Sequence, residues 1–295
     1  MKRPFLFSMI AGALLGATVA ILPAQENPTP EAGGFRGLVL PWQAEFENLP
    51  TEEKKKYAVA IGEASRLYNQ KRIIEALNKV AEAQAVFEND PNGYNLKGAC
   101  HVELRDFDQG RAAFERAYEL QKPALEGIEG LGKEERLARL KSINSILFNL
   151  AEMDFVTKNW QACHDSFEKL LAQFNPKDEA MTRLLEFKLL LCKLKIGQVE
   201  EARKMADKYD YLDDHPFHYY ANAALAYFDG KDEEAERWRA SARRIFRTPP
   251  QVLSSWEDTL IEYGYVKSFY GGDLAVPGSA APPTDLAAPE GPATP

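Results

Sequence analysis

Away from the two ends of the chain, apolar side chains recur at helical intervals of three and four, and no alternating run long enough for a strand interrupts them. The pattern predicts helices throughout, and laid over itself it repeats. IIEAL at Ile73, FDQGRAAF at Phe107, WQACHDSF at Trp160, VEEARKMA at Val199 and DEEAERWR at Asp232 align, with successive anchors 34, 53, 39 and 33 residues apart. Two of those intervals match a 34-residue unit and the others are that unit with insertions. The longest insertion, which holds EGIEGLGKEERLARLK, extends the helices or adds a loop.

Equivalent positions agree in character. Three residues past each anchor stand Ala76, Gly110, Cys163, Ala202 and Ala235, and nine before it Ala64, Gly98, Ala151, Leu190 and Ala223. Small residues at both places predict two helices in close approach. Pro91, Pro123, Pro176, Pro216 and Pro249 fall near the predicted ends of the second helices, where proline stops a helix at least cost.

With Tyr94, Gly98, Phe107, Phe114, Ala117 and Pro123 in one unit and Leu150, Ala151, Trp160, Phe167 and Pro176 in the next, the chain resembles a tetratricopeptide repeat protein from about Tyr57 to Ala242. The last two repeats depart from the motif, with Glu186, Asp232 and Arg239 where large apolar residues are usual. The resemblance implies an all-α, right-handed superhelical solenoid of antiparallel helix pairs, about five repeats long. PPQVLSSWEDTLIEYGYVKSF, from Pro249 to Phe269, predicts one more amphipathic helix with Trp256, Leu260, Tyr263 and Val266 on its buried stripe. Repeat arrays commonly need such a terminal cap.

The ends read differently. Residues 1–24 have a basic start at Lys2 and Arg3, an apolar run from Phe5 to Leu22 and small residues at Ala20 and Ala24, the layout of an export signal. Its alternative is an uncleaved membrane anchor. Either places the body outside the cytoplasm, in a periplasmic or cell-envelope setting of bacterial type. Residues 25–50 join a polar Pro/Gly linker to an apolar segment, FRGLVLPWQAEFENLP, that packs as an N-terminal cap or lies in the groove. Residues 51–270 hold the repeats and the cap, and 271–295 form a disordered Ala/Pro-rich tail. The formal charge of -8 argues against nucleic acid and anionic lipid as partners, so membrane contact is left to the N-terminal segment.

Candidate chemistry is sparse. ACH occurs twice, at Cys100-His101 and Cys163-His164, but the two copies lie in different phases of the repeat, and helix neighbours point about 100° apart. Cys163 fills a small-residue slot, and His164 falls on a face expected to be exposed. Of the three cysteines only Cys163 and Cys192 lie on consecutive helices, and free thiols are expected. DDHPFH, with His215 and His218, is the one metal-like cluster, and it coincides with an inter-repeat turn in which Asp caps the next helix. No catalytic or nucleotide-binding motif is present. The expectation is a non-enzyme without cofactor or metal; a thiol- or metal-dependent enzyme using Cys163, His164, His215 or His218 is the contrasting one. Arg239, Arg243 and Arg247 form an i, i+4, i+8 stripe that complements the helix end or serves as an anion patch.

Carried over by register, the resemblance implies a peptide groove lined by Asn92, Asn95, Phe148, Asn149, Glu152, Phe155, Phe187, Lys188, Tyr220, Tyr227 and Phe228. Its aromatic content suits an apolar or amphipathic segment; the contrasting reading makes several of these rings core between helices. The function implied is a protein-binding scaffold, with a structural or assembly subunit of an envelope complex as the alternative.

Overall fold

The computed structural model describes residues 39–173, 179–246 and 251–267. The export signal and disordered tail expected from the sequence, with Pro176, Arg247 and Pro249, lie outside them. Twelve α-helices and no strand occur among the described residues. After a short α1 (Pro41–Glu47) come five consecutive pairs: α2 (Thr51–Asn69) with α3 (Ile73–Val86), α4 (Pro91–Glu103) with α5 (Phe107–Gln121), α6 (Lys133–Val156) with α7 (Trp160–Gln173), α8 (Glu179–Lys195) with α9 (Val199–Ala206), and α10 (Phe217–Phe228) with α11 (Asp232–Ile245). From α2 to α11 each helix packs on the next along the chain, and first helices also touch first helices, α2 with α4 and α8 with α10. That is an all-α solenoid of tetratricopeptide-like helix pairs. All five anchors, Ile73, Phe107, Trp160, Val199 and Asp232, are the opening residues of second helices.

A shared turn makes every pair. Two residues before each anchor the backbone enters the left-handed region, at Lys71 (φ 60°), Arg105 (62°), Lys158 (63°), Gly197 (84°) and Gly230 (73°). The next residue's N–H then donates back five positions, Arg72 to Leu67, Asp106 to His101, Asn159 to Asp154, Gln198 to Lys193 and Lys231 to Ala226, all at 2.8 to 2.9 Å. This bond closes the open carbonyl end of the first helix and reverses the chain.

Close approach explains the small slots. Ala64, Ala76, Ala151, Cys163, Ala202, Ala223 and Ala235 are all buried. At Gly98 an added Cβ would stand 2.5 Å from the Phe114 ring, and at Gly110 3.2 Å from Val102. Between the second and third pairs the insertion makes two 3-10 turns, Lys122–Leu125 and Ile128–Gly130, and prolongs α6 to 24 residues. Of the expected helix-stopping prolines, Pro123 does follow the end of α5 closely, whereas Pro91 belongs to the start of the next helix, as the sequence of the DDHPFH turn also predicts for Pro216. Pro91 opens α4 and Pro216 stands just before α10, while Pro123 lies in a 3-10 turn. Pro91 and Pro216 serve helix starts, because a missing N–H is harmless in a first turn.

The apolar segment before the repeats packs on helix ends. Phe46 meets Tyr57 and Phe87 at 5.3 and 5.2 Å, Trp42 donates its indole N–H to Gln121, and Asn89 donates to Glu45. Asp90 caps α4 through the N–H groups of Asn92 and Gly93 and accepts from the Tyr57 hydroxyl, which ties α2 to the next pair.

Candidate functional site

The last helix, α12 (Gln251–Tyr263), presents Leu253, Trp256, Leu260 and Tyr263 at spacings of three, four and three, one stripe of an amphipathic helix. Each of the four is less than a tenth exposed. Val266, expected on that stripe, follows the turn at Gly264 (φ 98°) and is partly buried. The helix does not stack as a cap on α11. It lies across the face that the first helices share, against α6 and α8. Trp256 stands 5.2 Å from Phe187, 5.6 Å from Tyr220 and 6.5 Å from Phe217, and Tyr263 lies 6.2 Å from Phe155 and 5.3 Å from Trp160. Fully burying four such side chains is worth roughly 1.5–3 kcal/mol each before the entropy of ordering the helix.

The residues expected to line an open groove are therefore divided. Phe155, Phe187 and Tyr220 are fully buried beneath α12, and Glu152 and Lys188 are buried with them. Phe148 packs inward on Phe167 at 6.1 Å, as core between α6 and α7. Asn149 is buried and donates to Asn95 at 2.9 Å, joining α6 to α4. Asn92 is exposed and its side chain donates to Asp90. Tyr227 stacks on Tyr265 at 5.2 Å, and Phe228 is 41% exposed. Solvent-facing groove and core are alternatives for a ring only while nothing covers the face, and here a helix of the same chain covers it.

Two polar stations flank the apolar stripe. At one, the Glu257 carboxylate accepts from Arg239, from Arg243 Nε at 3.0 Å and from the Tyr220 hydroxyl at 2.7 Å. Arg239 is 6% exposed and also meets Glu236 and the Tyr227 hydroxyl. Burial pulls Glu257 upward, but the bonds and charge of Arg239, with Tyr220 and Arg243, outweigh it and hold the carboxyl below its usual range. Arg239 and Arg243 are thus not an open anion patch; their anion is internal.

At the other station Lys188 Nζ stands 2.9 Å from Glu152, 4.0 Å from Glu262 and 4.5 Å from the centre of the Phe155 ring. All three ionisable side chains are nearly dry. Glu152 Oε1 and Glu262 Oε2 have no hydrogen-bond partner, so two carboxylates share one ammonium. Burial pushes Glu262 up to about 8, against the charge of Lys188 and with help from Glu152 and Asp258. Burial also raises Glu152, whereas for Lys188 the two carboxylates outweigh desolvation and keep the ammonium charged.

The Cys-His pairs hold no shared site. Cys100 is fully buried and burial pushes its thiol up to about 12, while His101 turns to Asp106 at 3.2 Å. Cys163 and Cys192 are free thiols whose sulfurs approach to 2.9 Å in the core. His164 is buried, not exposed as expected, because Lys193 of α8 crosses it at 3.1 Å and Asp165 meets its other nitrogen at 2.9 Å. In DDHPFH, His215 Nε2 accepts from Arg183 and His218 Nδ1 lies 3.1 Å from the Tyr209 carbonyl. The expected Asp cap is absent there: Asp213 accepts from the Asp210 N–H, and α10 begins without a side-chain cap. Among the described residues no group of three His, Cys, Asp or Glu is placed to hold a metal, and no helix is long and apolar enough to cross a membrane.

Sequence reasoning missed Glu257 and Glu262 as members of the site. Arg239 was the available signal, since a charge at a position where the repeat wants an apolar residue calls for a buried partner.

No protein-family model and no curated protein matches the chain. A solved structure described as "Functional Characterization of Pseudomonas Aeruginosa pilF" is similar over 70% of this chain and 98% of its own, at 12% identity and a TM-score of 0.35. A likeness of that size carries no argument about family or activity, and the architecture stands on its own helices.

Proposed function

We propose that the chain is a non-catalytic protein-binding scaffold of a bacterial-type cell envelope, whose first-helix face receives an amphipathic helix and is held closed by α12 until a partner takes its place. The observation that carries this reading is the seating of α12. A helix with apolar anchors Leu253, Trp256, Leu260 and Tyr263 lies across α6 and α8, with rings from both and from α10 against it and a salt-bridged carboxylate, Glu257, midway along it. Helix-in-groove recognition uses the same anchor spacing. Export is supported by the basic start and apolar run of residues 1–24.

Capture from native envelope extract tests it, with the wild-type chain beside a Trp256→Ala/Leu260→Ala variant and a second variant that adds Phe187→Ala. The first variant is expected to enrich a protein that the wild type holds weakly, and the added change to lose it. Equal capture by all three chains would sink the proposal.

A further inference from the structure

The two polar stations of α12 differ in kind, and the difference says what a better occupant looks like. Glu257 meets three donors from the body: Arg239, Arg243 and Tyr220. Glu262, five residues on, meets an ammonium already taken by Glu152 at 2.9 Å, stands 4.0 Å from it, and leaves Oε2 buried without a hydrogen bond. One carboxylate is read by the body; the other sits in a dry site where it must either keep an unshared charge or hold a proton that it would release in water, and both cost free energy at neutral pH and above that a residue neutral at every pH avoids.

We infer that the external partner of this face is an amphipathic helix with apolar anchors at i, i+3, i+7 and i+10, a carboxylate at i+4, and an uncharged residue at i+9 where α12 has Glu262. The inference rests on the scaffold reading above. It adds the chemistry of the ligand: the carboxylate fixes register against Arg239 and Arg243, and the neutral residue leaves Lys188 to Glu152 alone. α12 matches the pattern at every position but i+9, so it is a resident that a closer fit can replace. The burial of Glu262 supports this, because it drives the carboxyl toward its protonated form.

The probes are labelled synthetic peptides with the sequence of residues 251–263, QVLSSWEDTLIEY, unchanged or carrying Glu257→Gln or Glu262→Gln, titrated by fluorescence anisotropy at pH 8 into the full-length Trp256→Ala/Tyr263→Ala chain. The Glu262→Gln peptide is expected to bind at least about tenfold tighter than the unchanged one, and the Glu257→Gln peptide at least about tenfold weaker. Equal binding of the Glu257→Gln and unchanged peptides overturns the carboxylate requirement, and no gain for Glu262→Gln overturns the neutral position; in both cases the scaffold reading stands. If no peptide binds a chain that keeps its helical circular dichroism, the scaffold reading falls and takes the inference with it. Should the double variant not fold, the same titrations into the Glu257→Lys chain decide, since Glu257 is partly exposed and its change leaves the apolar stripe intact.

Discussion

Replacing Glu262 by Gln keeps its shape and removes the charge that the dry site does not accommodate. The groups facing it are Lys188 from α8, Glu152 from α6, Arg105 just after α4 and Asp258 on its own helix. Its carboxyl moves from 4.5 in an open chain to about 8 in the fold. Between those values the native state keeps a proton that the unfolded chain has released, so the raised value stabilises fully below pH 4.5 and its benefit is lost as pH climbs through about 8. At about 1.36 kcal/mol per pH unit the loss reaches about 3 kcal/mol by pH 7. Urea unfolding of the wild-type chain at a series of pH values from 5 to 9 should show that decline. The Glu262→Gln chain should show a shallower decline, retaining the part that comes from Glu152, which burial also raises. At pH 8 it should be the more stable of the two by roughly 4 kcal/mol. Parallel curves for the two chains would refute the reasoning, since the proton would then be held elsewhere or not at all. Glu257 runs with the opposite sign: its carboxyl is held below the usual value, and its contribution fades as pH falls through that lowered value.

Two further changes probe the repeat scaffold. Gly98→Ala should cost about 1–3 kcal/mol, because its Cβ would meet the buried Phe114 ring at 2.5 Å, whereas Gly62→Ala, with nothing within 4 Å, should gain about 0.5–1 kcal/mol from helix propensity; equal shifts in denaturation midpoint would break the close-approach argument. Lys158→Gly should stabilise by about 0.5–1 kcal/mol, since Lys158 is exposed at φ 63° and glycine relieves that backbone at little loss of contact; a lower melting temperature would refute the turn's strain.

The repeat was legible because close packing leaves a record in side-chain size. Ala76, Gly110, Cys163, Ala202 and Ala235 mark where helices touch, and the anchors before them open the second helices in the structure. The turns were not legible. Three of five left-handed residues are Lys or Arg, types that carry no turn signal, and only Gly197 and Gly230 hint at the conformation. The stripe on α12 was readable from Trp256, Leu260 and Tyr263, but a stripe records that a face is buried and not against what. It therefore suited an end cap as well as a helix laid on α6 and α8. The departures from the motif were informative. Glu186 is buried against Lys208, Arg183 and Tyr209, and Arg239 against Glu257, so residues out of place for the repeat mark where polar partners come together inside the fold.

Because only a few residues separate Ile245 at the end of α11 from Gln251 at the start of α12, any partner helix proposed for this seat would compete with a resident of the same molecule. A short tether of that kind gives an effective concentration on the order of millimolar. A free helix of equal intrinsic affinity therefore gains the seat only at comparable concentration, and a dilute one must fit better by a corresponding factor. On the proposed reading, tethering would make the face a threshold device that ignores weak, abundant helices, with the height of the threshold set by how well residues 251–263 fit.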